Sequence, residues 1–205
     1  ANGHPVLLVG PTGTGKSALI DQFLLQTNEN VSSTRIDMNY SMSATNLQHQ
    51  IEGEVERRSG TSFGPAPGRV KIFFVDDLNL PRVEKYGTQS SLALLRQIMD
   101  NGIFYDKSDC SVVKRLVDCQ FVSAMNPTAG SFTINERCQR QFATFNCIMP
   151  SSQDLSTIFG PIIKGHFSTR NFSDNIANLA TKITHASIHL YQKISEAFLP
   201  SSTKF

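Results

Sequence analysis

The chain alternates between short runs of apolar residues and longer amphipathic runs, in which hydrophobic and polar residues are mixed. The short apolar or β-rich runs predict strands, which are 6–9, 31–38, 70–75, 118–125 and 143–149. Apolar residues three or four apart predict helices, which are 18–25, 43–58, 90–100 and 135–141. We also expect a glycine- and proline-rich loop over 59–69 and a short hairpin arm at 104–106. Strands that alternate with helices are typical of a parallel α/β sheet.

The pattern changes after Pro150. Residues 153–167 and 175–198 carry helical spacing, and no strand pattern lies between them. We therefore predict two parts, an α/β nucleotide-binding domain over 1–150 and a partial helical subdomain over 151–205.

A glycine-rich segment joins the first predicted strand to the first helix, and its spacing fits the Walker A pattern G-x-x-x-x-G-K-[ST]. The nucleotide-binding residues that we predict are Gly10, Pro11, Thr12, Gly13, Thr14, Gly15, Lys16, Ser17 and Ala18. Glycines allow several backbone N–H groups to point at one anion, and the helix start adds unpaired N–H groups. We expect Lys16 to neutralise phosphate oxygens and the Ser17 hydroxyl to bind Mg²⁺. The alternative is a glycine-rich turn that matches by chance.

Two adjacent carboxylates follow the most hydrophobic strand. We expect that strand to lie beside the glycine-rich loop, so that Asp76 holds Mg²⁺ as the Walker B acid. Asp77 then has the position of the general base that polarises the attacking water, and the alternative for it is a helix or loop cap.

Asn126 ends the next core strand, and Arg137 precedes the last one. The amide of Asn126 is expected to contact the γ-phosphate or to orient the water, unless it is only a turn residue before Pro127. Arg137, like its neighbour Arg140, could reach a neighbouring domain's site as an arginine finger. The alternative for each is a solvated surface arginine.

Composition narrows the classes of partner. The 205 residues carry a formal net charge of +2, which indicates no nucleic-acid-binding surface. No window is long and apolar enough to span a bilayer, so we predict no membrane partner. The four cysteines form no C-x-x-C pair, which argues against a zinc site or a disulfide framework. A strand that begins almost at residue 1 leads us to expect a piece of a longer protein.

These motifs resemble, in order and spacing, those of AAA+ ATPase modules. The narrower likeness is to the third AAA+ module of axonemal dynein heavy chains, carried by segments 74–81, 86–89, 102–106 and 125–135. The resemblance implies a P-loop α/β core with a partial helical lid, and ATP or ADP with Mg as cofactors.

The same resemblance implies a role for each matching residue. Lys16 and Ser17 match Walker A, Asp76 and Asp77 match Walker B, and Asn126 matches sensor I. Arg137 matches the finger position, from which it would act in trans on a neighbouring module. The sensor II arginine and the segment that packs on adenine are expected outside this chain.

At the level of the whole motor, the resemblance implies a regulatory nucleotide site that governs communication between the main ATPase module and the microtubule-binding stalk. The implied partners are neighbouring AAA+ modules of the same heavy chain, microtubules through the full motor, and dynein intermediate and light chains. The implied location is the cytoplasm and cytoskeleton, in the axoneme of a cilium or flagellum.

Three functions remain open on the sequence. The first is a motor module that binds and hydrolyses Mg-ATP and regulates the motor cycle. The second is a nucleotide-binding structural module with little or no turnover, which is favoured by Asp77 because hydrolytic P-loop machines often carry Glu there. The third is a small P-loop phosphotransferase, which is disfavoured because Arg170 is the only arginine after Arg140.

Overall fold

The computed structural model describes residues 3–106, 109–127, 133–170 and 172–198. Its strands are β1 (Val6–Val9), β2 (Val31–Asp37), β3 (Glu56–Ser59), β4 (Ser62–Gly64), β5 (Val70–Asp76), β6 (Ile103–Tyr105), β7 (Val113–Leu116), β8 (Cys119–Met125) and β9 (Ala143–Asn146). Its helices are α1 (Lys16–Leu25), α2 (Ala44–Gly53), α3 (Ser90–Asn101), α4 (Glu136–Gln139), α5 (Ser152–Thr169), α6 (Asp174–Ala177) and α7 (Ala180–Ala197).

Five strands form one sheet in the order β2-β5-β8-β1-β9, and every pairing in it is parallel. This confirms the predicted α/β class with a parallel core. The expectation that the strand before Asp76 lies beside the glycine-rich loop is wrong, because β8 lies between β5 and β1. Parallel strands are joined by long crossovers, so their order in the sequence does not determine their lateral order.

Side chains of β5 alternate between two apolar clusters on opposite faces of the sheet. Phe73 and Val75 belong to the larger cluster, and Phe74 belongs to the smaller one. The larger cluster includes residues of α2 and α3, namely Leu47, Ile51, Leu92, Leu95 and Ile98. The smaller cluster includes Ile20 of α1. Because helices cover both faces, a central strand needs apolar residues on both sides, which explains its continuous apolar run.

A second sheet of four strands, in the order β3-β4-β7-β6, was not predicted. The helix predicted over 43–58 ends at Gly53, and β3 and β4 form an antiparallel hairpin in its last residues and in the predicted loop 59–69. The hairpin arm predicted at 104–106 is confirmed as β6, which pairs with β7. Glu56–Ser59 consists of polar residues, without the alternation of hydrophobic and polar residues that predicts a strand, so the sequence does not indicate β3.

By its internal contacts the chain divides into two compact units, Ala1–Ile148 and Met149–Phe205. The second unit begins with a capping box, in which Ser151 and Asp154 satisfy each other's backbone N–H groups at the start of α5. Helix α5 packs against α7, and Gln192 Nε2 donates a hydrogen bond to Ser152 Oγ at 2.7 Å.

The single helix predicted over 175–198 is two helices, α6 and α7. The buried residues of α7 are Ala180, Thr184 and Ile188, which lie four apart on one face. Ile188 is one of six apolar residues that suggested the single helix, and the other five are exposed: Ile176, Leu179, Ile183, Leu190 and Ile194. Among helices in the described ranges, none has both the length and the hydrophobicity that crossing a bilayer requires.

Phe73 tests the packing of the larger cluster. It is fully buried and stacks on Phe121 with ring centroids 5.4 Å apart. We expect Phe73→Ala to lower the free energy of unfolding by about 3–5 kcal/mol, because it leaves a cavity in a covered sheet. Urea denaturation measures this loss.

Val70 provides the control in the same strand, since this residue is 39% exposed. Val70→Ala should cost less than about 1 kcal/mol. Equal losses in the two variants would contradict the assignment of Phe73 to the core.

Candidate nucleotide-binding site

The glycine-rich loop lies between β1 and α1 and contains two residues in a left-handed conformation. Gly13 and Gly15 have positive φ angles of 86° and 81°, a region that side chains disfavour. Gly15 is the N-cap of α1, a helix that the structure describes in full and whose first turn contains neither a side-chain cap nor an acidic residue. The positive end of this helix is therefore left for an external anion.

The ammonium group of Lys16 is folded back into the loop. Its Nζ donates to the carbonyl oxygens of Gly10 and Pro11, both at 2.8 Å, and to Thr14 Oγ1 at 3.2 Å. The half-buried cation is thus held by oxygen atoms of the loop itself, and its donors can be redirected to phosphate oxygens. These features fit a nucleotide phosphate chain in charge and in hydrogen bonding.

Asp76 is a buried carboxylate at the carboxyl end of β5 and is 6% exposed. Its Oδ1 accepts a hydrogen bond from the backbone N–H of Asp77 at 3.0 Å. Its Oδ2 accepts one from Arg35 Nη2 at 2.8 Å. Both oxygens are held in place, and each keeps a lone pair for a metal-bound water.

Asp77 begins the turn after β5. Its φ is 53°, a left-handed conformation that aspartate tolerates better than most residues. Partial burial and the negative charges of Asp76 and Asp37 raise the pKa of Asp77, against the opposing cations Lys16 and Arg35. Within the described residues its carboxylate accepts no hydrogen bond, so the capping alternative gains no support.

Asn126 connects the end of β8 to the glycine-rich loop. Its Nδ2 donates to Thr12 Oγ1 at 2.5 Å, and its backbone carbonyl accepts from Asn79 Nδ2 at 2.8 Å. The structure therefore brings the Asn126 side chain to the loop, and its role toward a phosphate stays a prediction.

The remaining predicted residues lie on two helices, α1 and α4. Ser17 and Ala18 lie in the first turn of α1, with Ser17 half-buried. Arg137 is exposed on α4, where its backbone N–H donates to Asn135 Oδ1 at 2.8 Å. No hydrogen bond or ion pair among the described residues joins Arg137 to the loop or to Asp76.

Arg35, on β2, is a site residue that the sequence analysis missed. Its guanidinium pairs with Asp21 at 3.0 Å, with Asp37 at 2.7 Å and with Asp76 at 2.8 Å. The hydrogen bond to Asp37 is the main cause that raises the pKa of Arg35, and burial opposes it. The available signal was an Arg-x-Asp pair at the carboxyl end of a predicted strand.

A magnesium ion at a phosphate site needs few protein ligands. In the described part of the chain, no group of three or more His, Cys, Asp or Glu residues is arranged to hold a metal. Mg²⁺ usually keeps several waters and adds substrate phosphates to one or two protein oxygens. The Ser17 hydroxyl and the Asp76 carboxylate are oxygen donors of the required kind.

Comparison with known proteins gives consistent matches. Residues 1–150 match the family model of the P-loop containing dynein motor region. The chain is 41% identical over 206 residues to the dynein beta chain of the flagellar outer arm of Chlamydomonas reinhardtii, covering 100% of this chain. It is 38% identical over 202 residues, 98% of this chain, to dynein axonemal heavy chain 17 of Homo sapiens. It spans 4% of the length of each relative.

Asp77 generates a prediction about stability and pH. Because its pKa is raised in the folded protein, its contribution to stability is present at low pH and is lost as the pH rises through the raised pKa. Asp77→Asn removes this loss, so the variant should be slightly more stable at neutral pH, by less than about 1 kcal/mol because the exposed carboxylate is screened. The difference should vanish below the usual aspartate pKa of 3.8. Urea midpoints measured across this pH range test both statements.

Asp109 is a control of opposite sign. Its hydrogen bonds from Ser111 lower its pKa, so Asp109 contributes stability above its usual pKa and loses it as the pH falls. Asp109→Asn should therefore destabilise the chain at neutral pH. If both variants shift the midpoint in the same direction, the local origin of the Asp77 effect is wrong.

Proposed function

Because this chain belongs to the family of P-loop containing dynein motor regions, we propose that it is a nucleotide-binding AAA+ module of a dynein heavy chain. The module takes Mg-ATP or Mg-ADP at the start of α1. One observation supports this most strongly: Lys16 lies inside the glycine-rich loop, and Asn126 holds the same loop through Thr12. The phosphate-binding and phosphate-sensing residues are thereby assembled at one place.

Each residue of this site has a distinct task in the proposal. The N–H groups of the glycine-rich loop and of the first turn of α1 bind phosphate oxygens, and Lys16 offsets their charge. A bound Mg²⁺ supplies further neutralisation of the phosphates. Ser17 and Asp76 would hold that ion, and Asp76 would do so through water.

The remaining two residues act on the attacking water and on the terminal phosphate. Asp77 accepts the proton of the water, for which a raised pKa is suited. Asn126 orients the water or contacts the terminal phosphate.

At the level of the motor, we propose the third AAA+ module, a regulatory site whose hydrolysis is slow or depends on the ring. Arg137 would then serve the site of a neighbouring module, which agrees with its exposed position on α4. The relatives named for flagellar outer arm and axonemal dyneins support a place in an axoneme. Microtubules, neighbouring AAA+ modules, and intermediate and light chains are the proposed partners of the whole motor.

A structural module that binds nucleotide without hydrolysing it is the second candidate. The observation that favours it is the short Asp77 side chain on a left-handed residue that begins the turn away from β5. An aspartate is one methylene shorter than a glutamate, so its reach toward an attacking water is reduced.

Lys16 tests nucleotide binding. Charge-assisted hydrogen bonds contribute about 1.5–3 kcal/mol, so Lys16→Ala should weaken Mg-ADP binding by roughly ten- to a hundredfold. Isothermal titration calorimetry measures the change. Lys164→Ala, which removes an exposed cation from α5, is the matched control and should bind as the wild type does. Unchanged affinity in Lys16→Ala would refute the site.

Substitutions of Asp76 and Asp77 should have different effects, because the two residues have different roles in the proposal. Asp76→Asn is expected to reduce the gain in ADP affinity that Mg²⁺ provides, because it removes charge from the metal-binding oxygens. Asp77→Asn should leave binding nearly intact and lower any turnover, since a general base acts in the transition state. Binding at varied Mg²⁺ and phosphate release are the two measurements. An equal loss of binding in both variants would show that the roles are not divided in this way.

A further inference from the structure

One guanidinium group touches three carboxylates at the edge of the sheet. Arg35 pairs through Nη1 with Asp21, through Nε with Asp37 and through Nη2 with Asp76. The Cζ atom of Arg35 also lies over the Phe74 ring, 5.3 Å from its centroid. Arg35 and its three carboxylate partners together carry two negative charges in excess, and the single cation is shared among three anions.

The three pairs differ in burial, and this difference separates their roles. The side chains of Asp21 and Asp37 are 45% and 69% exposed, so water solvates them without Arg35. The Asp76 side chain is only 8% exposed. Asp76 is therefore the partner that would be left as a buried, poorly compensated charge if the guanidinium moved away.

The guanidinium also joins the two elements that carry the proposed Mg²⁺ ligands. Asp21 lies one helical turn after Ser17 on α1, and Asp76 ends β5. Arg35 thus connects α1, which carries Ser17, to β5, which carries Asp76. A magnesium ion bound by Ser17 and Asp76 would bring a second cation to a carboxylate that already has one.

We propose that Arg35 is a resident cation that competes with Mg²⁺ for Asp76 and so raises the Mg²⁺ concentration that nucleotide binding needs. This inference rests on the proposed nucleotide site. Without Mg²⁺, Arg35 neutralises Asp76. When the ion binds, repulsion between the two cations weakens the Arg35–Asp76 pair, and Asp21 and Asp37 keep the guanidinium paired.

A thermodynamic cycle gives the direction of the effect. Removing Arg35 destabilises the Mg²⁺-free state, in which Asp76 loses its cation. It affects the Mg²⁺-bound state less, since the metal itself compensates Asp76. Mg²⁺ should therefore bind more tightly in the absence of the guanidinium. A residue that only orients Asp76 for the metal would give the opposite result.

The experiment is a Mg²⁺ titration of the 205-residue chain with a fluorescent ADP analogue at fixed concentration. We expect Arg35→Gln to lower the half-saturating Mg²⁺ concentration by roughly three- to tenfold, the size of a partly screened charge-assisted pair. Arg35→Lys keeps the charge but loses the forked geometry, so it should lower that concentration about twofold. Thermal denaturation without ligand should show a lower midpoint for Arg35→Gln, and Mg²⁺ with ADP should restore most of it.

Arg58→Gln is the matched control. It removes the same charge from an ion pair with Asp118, which lies at the amino end of β8, whereas Asp76 lies at the carboxyl end of β5. Its half-saturating Mg²⁺ concentration should equal that of the wild type.

A higher or unchanged half-saturating Mg²⁺ concentration in Arg35→Gln would overturn the competition. If Arg35→Gln does not fold, the Arg35→Lys variant provides the test. A half-saturating Mg²⁺ concentration in Arg35→Lys that is not lower than that of the wild type would also overturn the competition. Failure of the proposed function looks different, because the wild-type chain would then bind no fluorescent ADP at any Mg²⁺ concentration, and both proposals would fall together.

Discussion

Parallel pairing of β8 with both β1 and β5 is the constraint on which the site depends. The register places Val9 opposite Met125 and Val75 opposite Ser123, so all three strands end at one edge of the sheet. The backbone N–H of Gly10 donates to the Met125 carbonyl at 3.3 Å, which fixes the start of the loop to the end of β8. A phosphate loop, an amide and a carboxylate from distant parts of the chain are assembled by this pairing alone.

Side chains of opposite charge lie close together at the edge of the sheet where these strands end. Lys16 and Arg35 provide the cations, and Asp21, Asp37, Asp76 and Asp77 provide the anions. Burial raises the pKa of Asp77, and the negative balance of charge adds to this effect. The same balance keeps Arg35 shared among its partners. A polyphosphate and a divalent cation together would change this balance far more than either would separately, because each supplies the charge that the other lacks.

The sequence predicted those features whose signal is local. The glycine-rich loop has fixed spacing, and β5 is a continuous apolar run, so both could be recognised without knowing their neighbours. The position of β8 between β5 and β1 could not be recognised in this way, because a crossover connection can join two strands that are not neighbours in the sheet. The β3–β4 hairpin was missed because its residues are largely polar. Arg35 was missed because its importance comes from the pairing of β2 with β5, which aligns Asp37 with Asp76.

The position of β1 has a consequence for biosynthesis. Val6 lies opposite Val122 on one side and opposite Ala143 on the other. A ribosome therefore releases this strand long before either of its partners exists, and the apolar segment must wait unpaired while more than a hundred residues follow. Long-range parallel pairing is slow and leaves such segments open to aggregation. The glycine-rich loop is thus made well before β8 and β9, whose pairing with β1 fixes its start, so the proposed nucleotide would stabilise a nascent chain only after those strands have been made.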